Sequence, residues 1–163
     1  MKVSDILRVK GGTLYCVDPQ TPLADAVTTM VERDIGSLVV MLRGALVGML
    51  TFREVLASIV AKGGSVDSAI VGDVMEAAPL TCAPETDIDE VRRVLLGRHA
   101  RYMPVLNGTT LMGVISFHDV AKAVVDSQDF ENRMLKAYIR DWPVEEGAAA
   151  APAESAAGTA SQA

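Results

Sequence analysis

The sequence predicts an α+β protein built from two pseudo-symmetric repeats, each with the order strand, helix, strand, strand, helix. Residues 15–60 align without a gap to residues 80–125, at an offset of 65. Within each copy, apolar residues first follow helical spacing, then form two short runs joined by a tight turn, and then follow helical spacing again. Because sheets this small need a cover for their apolar face, we expect the repeats to pack together through their sheets.

The repeat is supported by identical residues at matching positions. The matched pairs are Pro19/Pro84, Thr21/Thr86, Arg33/Arg98, Val40/Val105, Gly48/Gly113 and Phe52/Phe117. Upstream, "VSDIL" resembles "VGDVM" at an offset of 68, so the first copy carries three extra residues near "VKGG". We therefore predict a first repeat over residues 1–62, a linker over 63–70 and a second repeat over 71–127.

The first helix of each copy is predicted from a start signal and an apolar stripe. Thr21 suits the N-cap and Pro22 the first helical position. The apolar residues that follow lie on one helical face, namely Leu23, Ala26, Val27, Met30 and Val31. The second copy repeats the stripe with Ile88, Val91, Leu95 and Leu96, interrupted by Arg92.

Two predicted hairpins and two closing helices complete the copies. The runs "SLVVML" and "ALVGML" flank a turn at Arg43-Gly44, whereas "YMPVL" and "LMGVI" flank Asn107-Gly108, a strong hairpin signal. The helices "FREVLASIVAK" and "FHDVAKAVV" follow.

The sequence after the second repeat changes character. Residues 128–142 predict a separate helix with Phe130, Met134 and Tyr138 on one face, which favours core or dimer packing over a ligand surface. Residues 143–163 contain no core-forming side chain larger than alanine after Val144, so we expect a disordered tail.

Composition excludes several classes of protein. The chain has 163 residues and a formal net charge of −6, which argues against binding nucleic acid. No apolar run approaches the roughly 18 residues of a membrane span, and the N-terminus lacks the pattern of a signal peptide, so we predict a cytoplasmic protein without membrane contact. Cys16 and Cys82 suit small core thiols better than a redox pair. The histidines, His99 and His118, show no metal-ligand spacing with them, so no metal site is expected.

The same short pattern lies at the end of each hairpin. Ser116 precedes Asp119 by three residues, and Thr51 precedes Glu54 by three. Such a pair forms a capping box at a helix start. A helix N-terminus also attracts phosphate, and a carboxylate can accept hydrogen bonds from a ribose diol. The sequence leaves both interpretations open. It contains no nucleophile motif, P-loop or GxGxxG, so we predict no catalytic residues and no enzymatic activity.

Taken together, the duplicated "D-I-L/D-V-M", "P-x-T" and "G-h-h-T/S-F-x-E/D-V" motifs resemble a tandem pair of cystathionine-β-synthase (CBS) domains, a Bateman module of the stand-alone type. The resemblance covers residues 2 to about 127. It implies that an adenosine-containing nucleotide such as AMP, ADP or ATP binds in clefts between the repeats, and that no other cofactor is needed. The family's ligand motif is Gly-h-x-Ser/Thr-x-x-Asp/Asn.

The resemblance implies one stronger and one weaker site. The second copy matches the ligand motif fully, and the residues assigned to its site are Gly113, Ser116, Asp119, His118, Arg101 and Thr81. The first copy has Glu54 where the shorter Asp is usual, and its weaker site would use Gly48, Thr51, Arg53 and Glu54. The cluster Arg98, His99 and Arg101 is either a solvated charge run or, as the family implies, a neighbour of the ligand phosphates.

The function implied is regulatory. The module would sense an adenine nucleotide and pass its occupancy to an unknown protein partner. It would also form a homodimer through "LADAVTTMV", "VRRVLL" and the closing helices. The alternative is a structural dimerisation module with an empty cleft, and the third possibility is an enzyme that acts on nucleotides.

Overall fold

The computed structural model describes residues 1–140, and that part of the chain alternates helices with short strands. The helices are α1 (Val3–Lys10), α2 (Leu23–Arg33), α3 (Phe52–Ala61), α4 (Val71–Val74), α5 (Ile88–Arg98) and α6 (Phe117–Arg140). The strands are β1 (Cys16–Val17), β2 (Ser37–Leu42), β3 (Ala45–Thr51), β4 (Tyr102–Asn107) and β5 (Thr110–Ser116). The predicted α+β class with two similar repeats is confirmed.

The chain forms two compact units. The first is Met1–Ser127, which contains both repeats. The second begins at Gln128, and the structure describes its residues 128–140, which are helical. Among residues 1–140, no helix combines the length and apolar character needed to cross a membrane.

The two sheets differ at their leading strand. In the first repeat β1 runs parallel to β2, and β2 pairs antiparallel with β3. In the second repeat β4 and β5 form the matching hairpin, but the predicted leading strand is reduced to a single parallel bridge between Cys82 and Val105. The cause is Pro104. Its counterpart Val39 donates a backbone hydrogen bond to Tyr15, and a proline has no N–H to donate.

Two predicted element ends are shifted by one residue. Helix α2 begins at Leu23 with Pro22 as its N-cap, because Thr21 and Leu23 are held in backbone hydrogen bonds to Val71 and Ala69. The first hairpin turns at Arg43-Gly44 as predicted, with both residues at positive φ. The second turns at Gly108 and the next residue, since Asn107 still pairs with Thr110.

The two helices predicted after β5 are a single helix in the structure. Helix α6 runs without a break from Phe117 to Arg140. The sequence "VDSQDF" at the predicted boundary contains neither proline nor glycine, so nothing in it stops a helix. The predicted disordered tail, residues 143–163, lies outside the described residues.

The short helix ahead of each repeat packs into the other repeat's core. Val3 and Ile6 of α1 are buried with Ile88, Val91, Leu95, Met103, Val105, Ile115 and Val120 of the second repeat. Ala69 and Val71, around the start of α4, are buried with Leu23, Ala26, Met30, Leu38, Val40, Leu50 and Val55 of the first repeat. This exchange brings the end of α1 to the second ligand motif and the chain after α4 to the first.

Candidate functional site

A cleft of about 660 Å³ lies where the first ligand motif meets the second repeat. The first repeat and the chain after α4 contribute Gly36, Met49, Thr51, Phe52, Arg53, Glu54, Leu56, Glu76, Ala78 and Leu80. The second repeat contributes Arg98, His99, Ala100, Arg101 and Tyr102. The cleft therefore combines one copy's ligand motif with the other copy's cationic cluster, and we call it the first cleft.

The ligand motif in the first cleft is built as a helix start. The Thr51 amide donates a hydrogen bond of 2.8 Å to Glu54 Oε2, and the Thr51 hydroxyl donates to the same oxygen. Both residues are partly buried. Helix α3 begins directly after Thr51, so its unpaired amides and the positive end of its dipole lie at the same place. This end of the cleft can accept an anion.

The cationic side of the first cleft is formed where α5 ends. Helix α5 stops at Arg98, and His99 takes a left-handed backbone with φ +51° as its C-cap. The chain then reverses into β4, and the Arg101 carbonyl accepts a hydrogen bond of 2.8 Å from the Phe117 amide. Arg98, His99 and Arg101 are all exposed at this reversal. With Arg53, three arginines face the carboxylates of Glu54 and Glu76, so the cleft has an excess of positive charge in an acidic chain.

The second ligand motif has the same cap but an additional partner. The Ser116 amide donates to Asp119 Oδ2 over 2.8 Å, and the Asp119 amide donates to Ser116 Oγ over 3.1 Å. Lys10, at the end of α1, forms an ion pair of 2.7 Å with the same Asp119 oxygen and donates to the Val114 carbonyl over 3.0 Å. Asp119 and Lys10 also border a separate hollow of about 370 Å³ between α1 and α6.

Electrostatics favour the ionised form of Asp119. Partial burial by itself raises the pKa of this carboxyl, but the hydrogen bonds from Lys10 and Ser116 and the Lys10 charge outweigh it. The pKa of Asp119 is therefore held below its ordinary value of 3.8.

The motif glycines are explained by packing. A Cβ at Gly48 would lie 2.5 Å from Met75 Sδ and 2.8 Å from the Glu76 carbonyl oxygen, because the chain after α4 crosses β3 there. A Cβ at Gly113 would lie 2.9 Å from a methyl of Leu7, where α1 crosses β5. Each glycine thus lets the exchanged segment approach the sheet.

The structure divides the residues that the sequence assigned to the stronger site. Arg101 lines the first cleft with Thr51, Arg53 and Glu54, whereas Ser116 and Asp119 lie at the second motif. The assignment of Arg101 to the second site stays a prediction: Arg101 lines the first cleft, and its backbone carbonyl is bonded to Phe117 beside the second motif.

The remaining predicted site residues, His118 and Thr81, lie at the edges of the two sites. His118 is exposed on the first turn of α6, at the position that Arg53 has in α3. Thr81 is exposed beside the Cys82 bridge, next to the cleft residue Leu80.

Several residues at these sites were not predicted. Tyr102 lies against Gly36 so closely that a side chain there would collide with its hydroxyl. Lys10 and Ala78 were also missed. Neither could be found from the repeat, because Lys10 lies in the "VKGG" stretch where the offset between the two copies changes.

The exchanged helices, the paired hairpins and the cleft shared between copies define a tandem α+β module with a cleft between its repeats. A model of the CBS domain family matches residues 3–61 and 71–126, and the chain belongs to this family.

Three relatives illustrate the similarity. The CBS domain-containing protein CBSX3 of Arabidopsis thaliana, described as mitochondrial, is 34% identical over 85% of this chain and 71% of its own length. A putative signal-transduction protein with CBS domains from Burkholderia ambifaria is 30% identical, with a TM-score of 0.73 over 78% of this chain and 96% of that one. The structure of CBSX2 in complex with AMP is 25% identical, with a TM-score of 0.66 over 78% of this chain and 98% of that one. The cytoplasmic location expected from the sequence stays a prediction.

Proposed function

We propose that this protein is a non-catalytic regulatory module that binds an adenine nucleotide in the first cleft. The observation that carries the proposal is the meeting of Arg98, His99 and Arg101 from one repeat with the α3 N-terminus of the other. Phosphate is the group that such an arrangement binds best, since arginines and helix amides both donate to it. The AMP complex of the CBSX2 structure supports the adenosine part of the ligand.

The mechanism follows from the fact that residues of both repeats line the cleft. A nucleotide that contacts both Arg101 and Thr51 bridges the two repeats, so it binds best to one relative arrangement of them. Its occupancy then shifts the population toward that arrangement, which a protein partner can read.

The second ligand motif is the proposed second site. Ser116 would bond phosphate and Asp119 the ribose diol, with Gly113 and His118 beside them, as the family resemblance implies. Lys10 must leave Asp119 before the diol can reach the shared oxygen, because that oxygen already accepts two hydrogen bonds.

Thermal unfolding with a nucleotide panel tests the proposal. AMP, ADP and ATP should each be compared with GTP and with inorganic phosphate. A ligand present at about 100 times its Kd stabilises the folded state by roughly 2.7 kcal/mol, which shifts the midpoint by several degrees. Unchanged midpoints across the panel at millimolar concentration would defeat nucleotide binding. Turnover of any bound nucleotide would defeat the non-catalytic role.

A structural homodimerisation module is the second candidate, and exposed apolar side chains favour it. Val31 on α2 and Val60 on α3 are 73% and 81% exposed, and Leu56 and Leu96 are also exposed. These residues lie on the segments from which the homodimer was predicted. Light scattering at micromolar concentration should give twice the monomer mass, and a Val60→Glu variant should shift the mass toward the monomer. A monomer mass for the wild-type chain would reject the dimer.

A further inference from the structure

The two ligand motifs differ in one contact that comes from outside their own helix start. At the first motif, both donors to the Glu54 carboxylate belong to Thr51. At the second, Lys10 adds an ion pair of 2.7 Å to Asp119 Oδ2, which already accepts the Ser116 amide. Each of these two carboxylate oxygens thus accepts two hydrogen bonds, but at the second motif one of the donors is a charged side chain from another helix.

The carboxylate of the first motif has no such partner. Within residues 1–140, no lysine or arginine forms an ion pair with Glu54. The exchanged segment that crosses the first motif, after α4, contributes the uncharged Ala78 to the lining of the same cleft. The two motifs are therefore equivalent in sequence but not in access to their carboxylates.

The backbone and the ammonium group of Lys10 are each fixed by separate contacts. Val3 and Ile6 anchor α1 in the second repeat's core, and the ammonium also donates to the Val114 carbonyl over 3.0 Å. Helix α1 ends at Lys10, and the exposed Gly11 and Gly12 follow. The lysine side chain is 39% exposed, so it can leave Asp119 for water without disturbing the buried part of α1.

We propose that Lys10 determines how many nucleotides the chain binds. Its ammonium group occupies the carboxylate of the second motif, which a ribose would otherwise contact. The wild-type chain then binds one nucleotide, in the first cleft, and the second motif accepts a nucleotide only when Lys10 is displaced. This inference rests on the proposed function, because it assigns the two motifs different occupancies of the same ligand.

Calorimetric titration of AMP and of ATP, each in turn, tests this role with matched variants. Wild type is expected to show one site per chain, and Lys10→Met two, the second motif gaining about 10-fold in affinity from loss of the competing charge-assisted hydrogen bond. Lys10→Gln, which keeps a donor for Val114, should behave like Lys10→Met, and Lys10→Arg like wild type. The reciprocal change, Ala78→Lys, should weaken the first cleft by up to about 5-fold by pairing with Glu54.

The outcomes separate the inference from the function beneath it. Two sites in wild type, or one unchanged site in both Lys10→Met and Lys10→Gln, would overturn the role of Lys10 and leave nucleotide binding intact. Weaker binding in both uncharged variants would also overturn it, because Lys10 would then be a ligand contact. Binding in no variant, each shown to be folded by its melting transition, would defeat the proposed function and this inference together.

Discussion

Replacing Gly48 by alanine tests whether the motif glycine serves packing. The new Cβ would lie 2.8 Å from the backbone oxygen of Glu76, closer than real Cβ contacts allow, and backbone cannot yield as a side-chain end can. The clash would strain the two hydrogen bonds between Met49 and Glu76, of 3.0 and 2.9 Å. Overpacking costs about 1–3 kcal/mol, and each lost hydrogen bond about 0.5–1.5 kcal/mol. The gain from a less flexible unfolded chain offsets at most about 1 kcal/mol.

We therefore expect Gly48→Ala to lower the free energy of unfolding by about 2–3 kcal/mol. Urea unfolding should show an earlier midpoint with an unchanged slope. The matched control is Gly113→Ala, where the nearest atom is the end of the flexible Leu7 side chain at 2.9 Å. That variant should lose less than about 1 kcal/mol, because Leu7 can change rotamer. Equal losses in the two variants, or an unaffected Gly48→Ala, would refute the reasoning.

Three further predictions follow from burial and charge. The pKa of Asp119 lies below 3.8, so its contacts contribute fully above that pH and are lost as pH falls through the lower folded value. The free energy of unfolding should therefore decrease less steeply below about pH 4 in Asp119→Asn than in wild type. Urea midpoints that decrease equally with pH in the variant and in wild type would contradict this. Ile6 is 8% exposed in the second repeat's core, so Ile6→Ala should lower the free energy of unfolding by about 2–4 kcal/mol in a denaturation experiment. Val9 is 85% exposed, so the control Val9→Ala should lower it by less than about 0.5 kcal/mol. Similar losses in the two variants would show that α1 does not pack in that core. Burial raises the pKa of the Cys82 thiol to about 11. A thiol reagent at about pH 8 should therefore modify the exposed Cys16 first. Equal rates of modification at the two cysteines would count against the burial of Cys82.

The fold could be predicted because its signals are local and occur twice. Helical spacing in "LADAVTTMV" and the turn at Arg43-Gly44 each depend on a few adjacent residues, and the repeat confirms the order of elements. Element ends were less predictable, since they depend on distant partners. The start of α2 is set by two distant hydrogen bonds, in which the Thr21 carbonyl accepts from the Val71 amide and the Leu23 amide donates to the Ala69 carbonyl, and no local pattern contains them.

The site was only partly predictable for the same reason. The capping residues Thr51 and Glu54 are three apart, and the structure joins them as expected. Arg101 was grouped with the nearer motif in sequence, but it lines the cleft of the other repeat. The partner of Asp119 is Lys10, which is 109 residues away. An internal alignment shows which residues are equivalent, but it does not show which copy's residues face each other.

The most direct test of the account is calorimetric titration of AMP, ADP and ATP into wild type, Arg101→Ala and Arg43→Ala. Arg101 lines the first cleft, whereas Arg43 lies in a hairpin turn and serves as the arginine control. Loss of a hydrogen bond to a charged group costs about 1.5–3 kcal/mol, so Arg101→Ala should bind roughly 10- to 150-fold more weakly. Arg43→Ala should bind like wild type. Equal affinities in all three proteins, or no binding by the folded wild type, would contradict nucleotide recognition at the first cleft.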